Sequence, residues 1–383
     1  MKYSIVLISI VTLFSTGHTL AQNNASKIPD RVDPRPFGDN ANHWYKGMDD
    51  KRMINPLPGK PQYAPTQLTE IGDNILLFQK TNGGWEKNYD IFAILTDAQK
   101  DSVKSHRNEL HTTFDNGTCF TQIAALSIIY KNTQVEKYRD AALKGLDFLL
   151  SAQYANGGWP QFYPLEKKYS REITFNDGAF EGIMVLLKDI LANQPQYDFV
   201  NAAYRKKIEV AFTKGLDCIV KTQINDVGAP TAWCQQYDEQ TLQPAWARKF
   251  EPACISNGES AGLVLFLMSL DNPDKRVIDA IQNAVKWFQD SKIYNTRVVA
   301  VPASNGSPAD RAVVTDSTAA PVWTRYYELK THKPMFCNRD SKVVYSLAEV
   351  EYERRNGYQW YTYAPQKVLA QYASWQKKVG VKL

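Results

Sequence analysis

The sequence is poor in the residues that build the commoner metal and redox centres. Its 383 residues hold five Cys and five His. No CxxC pair or zinc-type spacing occurs, which argues against a thiol-bound metal. The absence of HExxH leaves zinc hydrolase chemistry little support. The cysteines, Cys119, Cys218, Cys234, Cys254 and Cys337, are odd in number, so at least one is unpaired and one disulfide is open to the rest. Charge of one sign is also scarce: the formal net charge is +5, with no basic run interleaved with aromatics, so nucleic acid is not an expected partner. No stretch beyond the first twenty or so residues is apolar enough to span a bilayer.

The first 21 residues read as an export leader. Lys2 gives the positive start, Ile5 to Phe14 an apolar core, and Thr19-Leu20-Ala21 a cleavage-like end. No Cys follows, so no lipid anchor is expected. A periplasmic or secreted protein without a membrane anchor is the expectation. Residues 22–66 are rich in Pro, Asn, Asp and Gly and read as an extended lead-in. Residues 67–383 are read as one catalytic domain. Nine Trp and 21 Tyr stand out. Flat rings suit the CH face of a sugar, although most such rings serve as core.

The pattern from residue 67 onward is helical. Cys119–Tyr130, Arg139–Gln153, Ala179–Leu191 and Ser260–Leu270 carry apolar residues at i, i+3 and i+4, and Thr296–Val301 is a short strand candidate. Lys144-Gly145-Leu146-Asp147 recurs as Lys214-Gly215-Leu216-Asp217, and Asn82-Gly83-Gly84-Trp85 recurs as Asn156-Gly157-Gly158-Trp159, at offsets of 70 and 74. A unit of this length fits a helical hairpin with a long loop. The expected fold is all-α: an incomplete (α/α) toroid of helical hairpins with long loops and minor short strands.

Three segments share one small pattern before an apolar run: Phe114-Asp115-Asn116-Gly117, Phe175-Asn176-Asp177-Gly178 and Ser256-Asn257-Gly258-Glu259. Such segments start helices, where Asp or Asn caps the first turn. If the three starts share a rim, Asp115 and Asp177 face one cavity. A carboxylate at the positive end of a helix is expected to stay ionised and to suit a hard cation. The two readings, cap and ligand, are compatible. Arg248 and Lys249 follow Pro244 between aromatic residues, just before the third helix start. Arg325 and Arg339 also sit close to aromatics. Guanidinium forks match carboxylates, whereas surface pairs such as Arg339-Asp340 or Arg325-Glu328 would contribute little. The Asn-Gly-Gly-Trp loops either line a groove with Trp or anchor it in the core.

These residues resemble the pectate lyases of polysaccharide lyase family ten. The likeness rests on Thr113–Thr118, Asn156–Tyr163, Ile173–Gly178, Trp246–Glu251, Phe336–Asp340 and Glu353–Tyr358, and spans roughly residues 67–380. The resemblance implies cleavage of (1→4)-α-D-galacturonan by calcium-assisted β-elimination to 4,5-unsaturated oligogalacturonides. It implies Arg248 as the base, Asp115 and Asp177 as Ca2+ ligands, and Asn116, Arg325 and Arg339 as substrate ligands. The expected partners are polygalacturonate and pectin oligosaccharides, bound by a monomer. Two other readings compete: an inverting glycoside hydrolase on the same scaffold using Asp115 and Asp177, and a non-catalytic uronate-binding protein. A free guanidinium is normally always protonated, so Arg248 as a base demands an unusual environment or an alkaline optimum.

Overall fold

The computed structural model describes residues 28–47, 53–304, 306 and 308–380. The leader at 1–21 lies outside these residues. The chain is mostly helical, and eleven α-helices occur among the described residues. In order they are α1 (Gly38–Lys46), α2 (Leu68–Phe78), α3 (Asp97–Ser105), α4 (Phe120–Thr133), α5 (Glu136–Ser151), α6 (Ala179–Leu191), α7 (Ala202–Thr222), α8 (Asn257–Met268), α9 (Lys275–Asp290), α10 (Tyr352–Gly357) and α11 (Ala364–Val379).

The larger helices form two rows. In one, α2, α5, α7 and α9 touch in succession; in the other, α4, α6, α8 and α11 do. Each helix of the first row leads through a long loop to one of the second. In the second row α4, α6 and α8 are mostly apolar, whereas α11 buries only Pro365, Val368, Trp375 and Gln376. In α6, Ala179, Phe180, Ile183, Met184, Leu186, Leu187 and Ile190 are buried, as expected for a helix enclosed by neighbours. The first row is amphipathic. In α9 the buried set Val277, Ala280, Ile281, Ala284, Val285 and Phe288 keeps to one stripe. Its cap is orthodox too, since the Asp274 side chain accepts from the Val277 N–H at 3.0 Å.

The loops repeat more than the sequence suggested. Trp85, Trp159, Trp233 and Trp323 each donate Nε1–H to a carbonyl near the end of the preceding helix: Ile75, Leu149, Ile219 and Phe288, at 2.8, 2.9, 2.7 and 2.9 Å. All four indoles are fully buried, so Trp85 and Trp159 anchor their loops and do not line a groove. Just after the helices, Gln79, Gln153 and Gln223 each give their amide to two backbone carbonyls, one in their own loop and one in a neighbouring helix. The two repeated motifs therefore meet. Gly83 lies on the carbonyl of Lys144, and Gly157 on that of Lys214, both at φ +95°. Added Cβ atoms would stand 2.4 and 2.0 Å from those oxygens.

Strands are short and tie the loops together. Ile173–Thr174 pairs with Gln236–Tyr237, and Trp323–Thr324 with Tyr361–Thr362. A four-stranded sheet joins Ile255–Ser256, Tyr326–Tyr327, Pro334–Cys337 and Val343–Val344. The Thr296–Val301 strand exists and pairs with Asp310–Thr315. The lead-in is not wholly extended. It carries α1, closed by Gly47 at φ 68°, and it buries Val32, Phe37 and Trp44 against the body. All five cysteines are buried free thiols.

The close approach of Gly157 gives a matched test. Gly228 has φ +85° but nothing within 4 Å of an added Cβ. Gly228→Ala is expected to cost about 1 kcal/mol, the left-handed penalty alone. Gly157→Ala adds a backbone clash and is expected to cost about 3 kcal/mol or more in a denaturant titration.

Candidate active site

The rim of the second helix row holds the chemistry. Asp115–Gly117 and Asn176–Gly178 are matching 3-10 turns leading into α4 and α6. Thr113 Oγ1 accepts from the Asp115 N–H, and Thr174 Oγ1 from the Asn176 N–H. The second residue of each turn is left-handed, Asn116 at φ 52° and Asp177 at φ 50°. Asp and Asn have thus changed places between equivalent turns: Asp115 corresponds to Asn176, and Asn116 to Asp177. The two turns touch, and the start of α8 touches the second of them.

Neither aspartate is a cap. Residue Cys119 occupies the cap position of α4 and Gly178 that of α6. With no orphan amide to serve, both carboxylates are left for other partners. Asp115 is buried; its Oδ2 accepts from Lys87 Nζ at 2.6 Å, and its Oδ1 has no partner. Asp177 is exposed, and Asn176 Nδ2 donates to its Oδ2 at 2.7 Å. Desolvation first, then repulsion by Asp115 and Glu259, pushes Asp177 up to about 7; Arg325 and Arg248 act the other way. This runs against the expectation that a helix start keeps the carboxyl firmly ionised: desolvation, with the acidic neighbours added, favours the protonated form. Asn116 is buried, with Nδ2 donating to Asn88 Oδ1 at 3.2 Å.

The arginines face this acidic side. Arg248 is about half exposed and grips buried Glu251 with Nε, at 2.8 Å, and Nη2. Desolvation pulls its guanidinium down, but the hydrogen bonds and charge of Glu251 outweigh this and push it up. Arg325 pairs with Glu259 at 3.0 Å, leaving its buried Nε without a partner. Arg339 pairs with Glu353 at 2.9 Å, so neither adopts the short-range pairing considered from sequence. Arg248 and Arg339 both stand over the Phe250 ring, at 5.0 and 4.4 Å. All six residues singled out from the sequence therefore gather at one end of the helix rows.

Sequence reasoning missed several neighbours. Two residues after each anchoring Trp stand Lys87, Gln161, Gln235 and Arg325. Lys87 holds Asp115, Arg325 holds Glu259, and Gln235 Oε1 accepts from Tyr326 Oη at 3.0 Å. The spacing from Trp was the available signal. A cleft of about 560 Å³ opens beside Lys87, with Trp44, Phe162, Lys168 and Tyr169 in its walls.

The family model for pectic acid lyase matches residues 79–369. The chain belongs to the pectic acid lyase family and is a pectate lyase. Among solved structures, the lyase is similar to a family 10 polysaccharide lyase from Cellvibrio cellulosa. That structure is 28% identical with a TM-score of 0.70, and the match covers 87% of this chain and 100% of that one. A point mutant of the Cellvibrio enzyme in complex with trigalacturonic acid matches equally well, covering 82% and 93% of the two chains. No curated protein matches the lyase.

One buried carboxyl of the lyase offers a pH test. Glu172 Oε2 is buried without a partner. Burial first, then Cys234, Glu239 and Asp238, pushes this carboxyl from 4.5 up to about 7. The folded state thus holds the proton more tightly than the unfolded one. Its contribution to stability is complete below pH 4.5 and is lost as pH rises through about 7. Glu172→Gln is expected to match the parent in Tm below pH 4.5 and to exceed it above pH 7.

Proposed function

We propose that this chain is a secreted lyase that cleaves (1→4)-α-D-galacturonan by calcium-assisted β-elimination, on helix rows that form an open (α/α) toroid. The observation that carries the reading is the sign of the unsatisfied polar atoms. Buried polar atoms nearly always have partners. Here Asp115 Oδ1 and Asn176 Oδ1, on the turn side, are acceptors without donors, and Arg325 Nε, on the arginine side, is a donor without an acceptor. The first pair asks for a cation and the second for an anion. A polyuronate with a divalent ion supplies both.

The donor set fits Ca2+. No group of three or more His, Cys, Asp or Glu side chains suited to a metal occurs among the described residues. Two carboxylates, Asp115 and Asp177, with amide oxygens beside them, leave room for water and substrate oxygens, as a hard cation prefers. When bound, Ca2+ would neutralise the uronate carboxylate and so acidify the neighbouring C5 proton. Arg325 and Arg339 would hold substrate carboxylates, and Asn116 a hydroxyl or ring oxygen. The complex of the Cellvibrio enzyme with trigalacturonic acid supports this substrate class.

Arg248 is the group we assign to receive the C5 proton. Glu251 occupies Nε and Nη2, and Nη1 takes no hydrogen bond among the described residues. Arg248 in its neutral form takes the C5 proton as the C5–H electrons form the C4–C5 double bond; the glycosidic oxygen leaves C4 with its bonding pair and is protonated by solvent, and Arg248 returns its proton to solvent. No water is consumed. Because Glu251 favours the charged guanidinium, turnover is expected to climb into the alkaline range. The raised Asp177 would also suit a hydrolase acid, but family membership favours elimination. The monomeric state and the export leader belong to the same reading.

The test is digestion of polygalacturonate followed at the absorbance of the unsaturated product. Activity is expected with Ca2+, and a chelator is expected to suppress it reversibly; saturated ends made in chelator would replace the lyase reading with hydrolysis. Arg248→Ala is expected to lower kcat by about 10³-fold while trigalacturonate still binds in calorimetry. Full turnover in that variant would remove Arg248 from the reaction.

A further inference from the structure

Arg354, on α10, is 3% exposed. Its Nε and Nη2 are buried without a hydrogen-bond partner, and no carboxylate pairs with it among the described residues. What surrounds the guanidinium is aromatic: Tyr358 at 4.0 Å, Phe250 at 4.4 Å and Trp360 at 5.0 Å from ring centre to Cζ. Those rings are shared. Phe250 also takes Arg248 and Arg339, and Tyr358 also takes Arg325 at 4.6 Å. The result is a ladder of shared rings: Arg248, Arg339 and Arg354 on Phe250, then Arg354 and Arg325 on Tyr358. Arg354 is the only rung that meets both shared rings.

We propose that Arg354 is a positioning residue for the elimination reaction, the buried central rung that fixes the spacing of the three solvent-facing guanidiniums. This rests on the lyase reading above. Arg354 is as enclosed as Asp115, and it acts on the site through the rings it shares with the other arginines. The three arginines that share its rings have glutamate partners, Glu251 for Arg248, Glu259 for Arg325 and Glu353 for Arg339, and those pairings set charge. They do not set the distance between one arginine and the next, because the glutamates belong to separate segments. The stacked rings do, and only Arg354 couples one ring to the other. Trp360 closes the third side and ties back to the same residue, its Nε1–H donating to the Arg354 carbonyl at 3.0 Å.

Stability alone gives no reason for an arginine here. A buried cation without a carboxylate is costly, and apolar replacements of buried charges are often neutral or stabilising. Burial accordingly pulls the Arg354 guanidinium down, against the raised values of Arg248, Arg325 and Arg339. An unpaired buried cation that shares its rings with Arg248, Arg325 and Arg339 is placed for geometry.

The experiment compares the full-length lyase with Arg354→Met and Arg354→Lys, measuring Tm and kcat on polygalacturonate with Ca2+. Arg354→Met keeps the volume and loses the charged plane. Its Tm is expected to equal or exceed that of the parent, while kcat falls by about 10²-fold, the scale of a misplaced catalytic group. Arg354→Lys keeps the charge without the plane and is expected not to restore kcat. A purely structural residue would move Tm and kcat together. If Arg354→Met keeps kcat within about threefold of the parent, the scatter of an uninvolved site, the ladder has no catalytic role. Should Arg354→Met not fold, Arg354→Lys decides by the same ratio. An inactive parent enzyme would sink the lyase reading itself, which is a separate outcome.

Discussion

The contact between each Gly-Gly-Trp loop and the neighbouring helix governs the rest of the molecule. At Gly83 and Gly157 backbone lies on backbone with no space for a side chain. That approach seats the indole, whose N–H closes on the helix end. The Trp carbonyl then receives the next segment: the N–H groups of Thr113, Thr174 and Ser256 donate to Trp85, Trp159 and Trp233. Those three residues stand directly before the rim turns and the start of α8. The close packing at Gly83 and Gly157 thus leads to Asp115 and Asp177, and the same Trp carbonyl bond, without Gly-Gly, leads from Trp233 to Glu259. The helices supply the walls, but the loops supply the register.

What is delivered there is not electrically at rest. Acidic groups sit near one another, and guanidiniums crowd a single phenyl ring. Each arginine that reaches solvent has its own glutamate, which limits repulsion among them. The acidic turns are less well served. Lys87 neutralises one oxygen of Asp115, and Asp177 answers its neighbours by holding its proton more tightly. Proteins tolerate such arrangements where a ligand completes them. The cost is spread over a large apolar core, so the site need not be the stable part of the fold.

Much of this was legible in the chain. The helical period located α4, α5, α6 and α8 to within a few residues, and the strand at Thr296–Val301 was visible. The three rim segments were found because a short polar residue before Gly is a local signal. The cap half of the reading fails at two of them for the same reason. Local chemistry says cap, and only tertiary packing shows the turn standing clear of the helix, with Cys119 or Gly178 at the cap position. The repeat was seen twice and missed twice, because its third and fourth copies keep Trp233 and Trp323 without Gly-Gly. Glu251, Glu259 and Glu353 were unreadable as partners. Each is an ordinary glutamate until the fold brings a guanidinium to it. The helix within the lead-in was hidden by its prolines, which mark turns and also tolerate the first positions of a helix.

The exchange of Asp and Asn between the two rim turns has a consequence for the direction of the substrate chain. Two turns with the same backbone would, with the same side chains, present a polymer with equivalent grips in either sense. Swapping acid for amide abolishes that equivalence, so the groove has a front and a back. A polysaccharide, whose reducing and non-reducing ends differ, then meets a surface with a polarity of its own.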